Sequence, residues 1–254
     1  MKNLIKAFAF GFVALVSVSA LAAGPSIPLD KANNDLSDKE SLKNGFKTYI
    51  NYCLGCHQLQ YQRYNRTFTD LGIDEADGVE NYMYTGEKAG DHITNSMPKK
   101  ESASWFGTAP PDLTLEARLR SPDWIYTYLR SFYVDESRPF GVNNTVFKDV
   151  GMPHVLQDLQ GVQIKVVDKE AVAANSESGI HAQPEVSHLE PALGGNLTTE
   201  EYDVVVRDLT NFLEYVGEPS KLERKSLGYK VLIFLFVFFI IAYFLKREYW
   251  KDIH

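Results

Sequence analysis

The chain has 254 residues, with 33 Asp and Glu against 26 Lys and Arg, and a formal net charge of −7 at pH 7. A surface this acidic disfavours nucleic acid and anionic lipid and favours cationic partners. With only two cysteines in the chain, a four-cysteine zinc site is excluded.

At the N-terminus, Lys2 and Lys6 precede an apolar stretch over 7–21, and Ala20-Leu21-Ala22 offers the small-x-small pattern of a signal peptidase site. An N-terminal membrane anchor is the alternative, but the run is short and ends in Ala-Ala-Gly-Pro. The expectation is a cleaved signal peptide, 1–22, and export of the chain from residue 23 onward. Loss of Lys2 and Lys6 takes the charge of the mature chain from −7 to −9.

Ser37 with Glu40 reads as a capping-box start. Leu42, Phe46, Tyr49, Ile50 and Cys53 then recur at helical spacing, which predicts an amphipathic helix running into Cys53-Leu54-Gly55-Cys56-His57. Cys-x-x-Cys-His is the attachment signature of c-type haem. One turn of backbone offers two sulfurs to the porphyrin vinyl groups, and the adjacent imidazole serves as proximal iron ligand. A redox dithiol would need a strand before the motif, where this sequence reads as helix. Neither cysteine is expected in a disulfide, since both are committed to haem.

Further along, Asp70, Asp74, Glu75, Asp77 and Glu80 form an acidic segment free of Lys and Arg, a candidate surface for steering a basic partner or simply a solvated loop. Ser121-Pro122-Asp123 reads as N-cap, N1 and N2 of a helix with Trp124, Ile125, Tyr128, Leu129 and Phe132 inward. Val162, Ile164 and Val166 alternate with polar residues and suggest one arm of a hairpin, followed by a mostly polar loop over 168–187. Thr198 with Glu201 opens another helix, whose apolar stripe is Tyr202, Val205, Val206, Leu209, Phe212, Leu213 and Val216; Gly217 and Pro219 end it.

Residues 227–245 carry one charge, Lys230. At about 1.5 Å per residue they reach roughly 28 Å, close to the thickness of a bilayer core. Tyr229, Tyr243, Tyr249 and Trp250 stand where interfacial aromatics belong. Basic residues flank both ends of the span, so its orientation rests on the signal peptide. That places 23–226 outside as a haem domain, 227–245 as the membrane anchor and 246–254 as a cytoplasmic tail. Localisation in the cell inner membrane is the consequence, single-pass, with the haem domain in the periplasm.

A six-coordinate haem needs a second axial ligand. Met83, Met97 and Met152 are the methionines left after signal removal, and His92, His154, His181, His188 and His254 the remaining histidines. Met97 and Met152 both precede proline, which favours an extended loop. Spacing alone leaves these two equal, with His154 after them.

The chain resembles the cytochrome c1 family, the haem-bearing subunit of ubiquinol–cytochrome c reductase, in its bacterial form. The likeness is carried by residues 53–57, Pro110-Pro111-Asp112-Leu113 with Arg118 and Arg120 after it, Gly151-Met152-Pro153, the Glu218-Pro219 helix end, and one C-terminal span closed by a basic tail. The resemblance implies a mainly α, class I cytochrome c-like haem domain with long loop insertions, plus one C-terminal transmembrane helix. It implies one covalent haem c on Cys53 and Cys56, His57 and Met152 as axial ligands, Arg120 beside a propionate, and Pro111 and Trp124 in the haem pocket. It further implies cytochrome b and a Rieske iron–sulfur protein as partners in a dimeric complex, a soluble or tethered cytochrome c as acceptor, and no catalytic site of its own. The competing functions are a haem enzyme with an open distal site, a membrane-tethered sensor, and a tethered cytochrome of another membrane complex. The nine residues after the span are too short for a sensor's output domain.

Overall fold

The computed structural model describes residues 27–167 and 187–251. The expected signal segment, His181, His254 and the polar stretch over 168–186 lie outside the described residues.

The first helix, α1 (Lys39–Thr48), starts one residue later than its sequence suggests. Asp38, not Ser37, is the N-cap: its carboxylate accepts from the backbone N–H groups of Glu40 and Ser41, each at 3.1 Å. Ser37 is taken up in the turn before, where its hydroxyl donates to Asp35 at 2.6 Å. Beyond α1 the chain enters one wide turn, Tyr49–Cys53, and the N–H of Leu54 reaches the carbonyl of Tyr49 at 3.0 Å. All five residues of the expected stripe, Leu42, Phe46, Tyr49, Ile50 and Cys53, are buried.

Next come β1 (Leu59–Arg63), α2 (Tyr64–Leu71), α3 (Glu75–Tyr82) and β2 (His92–Ile93), with β2 antiparallel to β1. Two short helices come after them, α4 (Lys99–Phe106) and α5 (Glu116–Leu119). The predicted α6 runs Pro122–Arg130 with Ser121 as N-cap, its hydroxyl accepting from the N–H of Trp124 at 3.3 Å. Phe132 is buried as expected but not on that helix: the N–H of Ser131 closes onto Tyr128, and the chain then extends as β3 (Phe132–Val134) to pair with β4 (Val142–Asn144). After α7 (Gln157–Gln160), the expected hairpin arm is split into β5 (Gly161–Val162) and β6 (Lys165–Val167). These pair antiparallel with β8 (Leu193–Gly194) and β7 (Ser187–Leu189), so Ser187 belongs to a strand.

The long helix α8 (Thr199–Gly217) has the predicted capping box, Thr198 and Glu201 bonding each other's backbone. It crosses α1 so closely that a Cβ on Gly45 would lie 2.0 Å from the carbonyl oxygen of Asp208. Phe46 and Tyr49 pack on Phe212 across that crossing, with ring centroids 5.2 and 5.8 Å apart. Most of the core belongs to this one cluster; a second, smaller one holds Phe132, Val142 and Val150, with Tyr128 and Met152 against it.

Three residues separate α8 from α9 (Lys221–Tyr249). Two ion pairs bracket this corner, Lys221 with Glu214 and Arg224 with Glu218. Helix α9 extends beyond the apolar run at both ends and buries none of its residues. Among the described residues it is the one helix long and apolar enough to cross a membrane, with a mean hydropathy of 2.3 in its most apolar window. The architecture is thus mainly α, with short two-stranded ribbons between helices.

Candidate functional site

The wide turn after α1 leads directly into the two cysteines. Backbone bonds from Cys56 and His57 to the carbonyl of Cys53, at 3.1 and 2.8 Å, fold residues 53–57 into one compact turn. Tyr49 ties its far end by donating its hydroxyl to the carbonyl of His57 at 2.6 Å. Asn95 holds the middle, donating to the carbonyl of Leu54 at 2.7 Å.

The turn forms one wall of an apolar cavity of about 360 Å³. Cys53, Cys56, His57, Pro111, Arg120, Trp124 and Met152 all line it, so the structure brings together every site residue expected from sequence. Burial pushes the Cys53 thiol up to about 12, and the Cys56 thiol is raised for the same reason. A redox dithiol needs the opposite shift, since the thiolate is the nucleophile.

His57 is oriented from a distant part of the chain. Its Nδ1 lies 2.8 Å from the carbonyl oxygen of Pro111. A carbonyl only accepts, so Nδ1 carries the proton and Nε2 keeps the lone pair a metal needs. Burial lowers the His57 pKa, which keeps the ring neutral and able to ligate. Pro111 is held in turn by its neighbour: the Asp112 carboxylate accepts from the N–H groups of Gln60 and Thr114, at 2.8 and 2.9 Å. The Pro-Pro-Asp-Leu segment is therefore a brace for the histidine.

Across the cavity, Gly151 lies so close to the Phe106 carbonyl that a Cβ there would sit 2.5 Å from the oxygen. Only glycine fits, which explains the Gly-Met pairing. Tyr128 donates its hydroxyl to the Met152 sulfur at 3.4 Å, and burial raises its pKa, so the donor stays protonated. Tyr128 is stacked on Trp124, with centroids 4.9 Å apart and an interplanar angle of 9°. The Arg120 guanidinium lies 4.9 Å from the Trp124 ring centroid and 3.8 Å from Glu116.

The rival ligands stand elsewhere. His154 stacks on Phe132 at 4.7 Å and does not line the cavity; burial lowers its pKa to about 4. Met97 faces a small polar niche on the other side of Cys56, next to Asn95 and Lys99. His92 and His188 are exposed. Sequence reasoning placed Tyr128 only in a helix's inward stripe and missed Phe106 and Phe147, which also line the cavity; nothing in their local sequence distinguishes them from core aromatics.

The acidic segment is partly absorbed by the fold. Asp70 pairs with Arg66 at 2.5 Å and accepts from Tyr215 at 2.8 Å, Asp74 caps α3, and Asp77 accepts from Asn81 at 2.8 Å.

Two thiols, a neutral imidazole and a thioether around one apolar cavity suit a porphyrin attached through sulfur. The class this defines is a c-type cytochrome with one haem site. The pattern of the Cytochrome C1 family matches residues 31–176 and 195–253. Cytochrome c1 of Allochromatium vinosum is 51% identical over 243 residues, covering 96% of this chain and 97% of its own length. The ammonia monooxygenase gamma subunit of Nitrosomonas europaea is 43% identical over 242 residues, covering 95% and 96%. Cytochrome c1 of Rhodospirillum rubrum is 29% identical over 244 residues, covering 85% and 83%. The chain belongs to the cytochrome c1 family. It is an electron-transport protein carrying one covalently bound haem c.

Proposed function

We propose that the protein is the haem subunit of a bacterial ubiquinol–cytochrome c reductase, receiving single electrons from a Rieske iron–sulfur protein and passing them to a cytochrome c. The observation that carries this is the meeting of His57 and Met152 on one cavity, in a chain that matches a cytochrome c1 over 96% of its length. Bound haem c supplies a one-electron couple, and His/Met ligation sets it at a high potential. In this reading Cys53 and Cys56 would hold the cofactor by thioether bonds, and His57 and Met152 would supply its iron ligands. Pro111 fixes the imidazole, Arg120 neutralises a propionate, and Trp124 supports Arg120 through its ring face. Helix α9 anchors the domain in the inner membrane on the periplasmic side, with cytochrome b beside it in a dimeric complex.

Tyr128→Phe tests the ligand environment without disturbing the ring packing. A hydrogen bond to the thioether withdraws electron density and favours the reduced state, so its loss should lower the potential. The expected fall is about 20–40 mV, the equivalent of one weak hydrogen bond. Redox titration of the purified full-length protein reads this, and an unchanged potential would count against the assignment.

Gly151→Ala should be more damaging. The added methyl has nowhere to go beside the Phe106 carbonyl, and the loop must back away, taking Met152 with it. Carbon monoxide binding to the reduced protein, far above the parent's level, is the expected signature.

A second reading keeps the haem site and changes the complex. It is favoured by the near full-length match to a protein named as a monooxygenase gamma subunit. Isolation of the full chain from membranes in mild detergent separates the two. Co-purification of a cytochrome b and a Rieske protein, with quinol-driven reduction of the haem, supports the reductase. Co-purification with monooxygenase subunits instead overturns it.

A further inference from the structure

Met152 is presented by a segment with no regular structure of its own, 145–153, which also carries Phe147 and Val150 into the cavity. Backbone amides in such a loop need partners from elsewhere. Two adjacent asparagines at the end of β4 supply them. Asn143 is 3% exposed; its side-chain oxygen accepts from the N–H of Asp149 at 2.9 Å, and its amide donates to Asp135 at 2.9 Å. Asn144 is 1% exposed; its side-chain oxygen accepts from the N–H groups of Val146 and Phe147, at 2.9 and 3.1 Å. Its amide donates to the backbone carbonyl of Tyr128 at 2.8 Å, and Tyr128 is the residue whose hydroxyl touches the Met152 sulfur. Asp149 turns the loop with φ +60° and is held by Arg138, which donates to its carbonyl at 2.8 Å.

These bonds close a circuit from β4 through the loop to Met152, then through Tyr128 back to β4. The loop sits on the small cluster of Phe132, Val142 and Val150, which Tyr128 alone of the circuit joins to the large core at the α1–α8 crossing. Segments packed on a separate small cluster can open locally while the rest of the domain stays folded.

We propose that Asn143 and Asn144 are positioning residues for the axial methionine, keeping 145–153 closed so that Met152 stays in the cavity. This rests on Met152 being the axial ligand. Removing either carboxamide leaves half-buried loop amides without their acceptor, those of Val146 and Phe147 at Asn144 and that of Asp149 at Asn143, so the loop opens before the domain unfolds. Leaving a buried partner unsatisfied shifts such a local equilibrium by about tenfold.

The test uses the full-length haem-loaded protein in detergent, with Asn143→Ala and Asn144→Ala beside the parent. Carbon monoxide binding to the reduced form and the far-red thioether-to-iron band of the oxidised form are read against thermal unfolding by circular dichroism. The expected result is about a tenfold larger carbon monoxide-accessible fraction, with the far-red band lost on heating well before the helical signal. Asn211→Ala removes a buried amide in α8 far from the loop, and should lower the unfolding temperature with both signals falling together. If band and helical signal also fall together in the Asn143 and Asn144 variants, the residues are merely structural and the proposal is overturned. If Asn144→Ala yields no holoprotein, Asn144→Ser, which keeps an acceptor for the loop amides, must give the same separation at smaller amplitude. Met152→Leu distinguishes the failure of the ligand reading: a far-red band that survives it removes the premise rather than the positioning role.

Discussion

Met152→Leu is expected to abolish the far-red absorption of the oxidised protein, lower the reduction potential and let the reduced protein bind carbon monoxide. Leucine nearly preserves the volume, so the packing beside Tyr128 and Val150 survives and the fold should hold. Among the described residues that line the cavity, Met152 is the one sulfur carrier besides the two cysteines, and the substitution removes it. Axial ligands command a span of roughly 0.8 V in haem proteins, and losing the thioether should move the potential by on the order of 0.1 V or more. The measurement is redox titration of membranes or purified protein. An unchanged spectrum and potential would move the assignment away from Met152, and with it the account of how 145–153 is built.

Gly45→Ala should be the most damaging single methyl in the domain. Its Cβ would meet the carbonyl oxygen of Asp208 at 2.0 Å, the carbonyl carbon at 2.6 Å and the Phe212 Cβ at 2.7 Å. None of these is the end of a flexible side chain, so α1 and α8 must separate. Overpacking of this kind costs about 3 kcal/mol, a large part of the net stability of a domain this size. Because α1 runs on into residues 53–57, the same shift displaces that turn, and His57 with it, from Pro111. Reduced yield of haem-loaded protein and a lower unfolding temperature are the expected results. A variant that unfolds with the parent would show that the crossing is not the keystone its geometry suggests.

The features most legible in the sequence were local. The stripes of α1 and α8, the Thr198–Glu201 box, the Ser121-Pro122 start of α6 and the apolar C-terminal run each depend on spacing within one segment, and each stands in the structure. The Ser37 cap failed because two good caps are adjacent and Asp35 had already engaged the serine. Phe132 was read one turn too far because its burial is real while its backbone is extended. The expected site residues do converge on one cavity: the Cys-x-x-Cys-His motif named Cys53, Cys56 and His57, and the family resemblance named Met152, Arg120, Pro111 and Trp124. The supports were illegible for a physical reason: Pro111 meets His57 across 54 positions of chain, and Gly45 meets Asp208 across a helix crossing. Asn143 and Asn144 look like ordinary turn residues until the loop folds back over them.

The corner between α8 and α9 bears on how electrons would leave and arrive. The link is three residues long and is spanned by the ion pairs Lys221–Glu214 and Arg224–Glu218. On the proposed reading, with α9 seated in a bilayer, so short a link would restrict the domain's bearing relative to that plane, as a fixed terminal does. A carrier that shuttles charge to it would then do the travelling, and lengthening the link with flexible residues should slow the handover while leaving the cofactor's colour untouched.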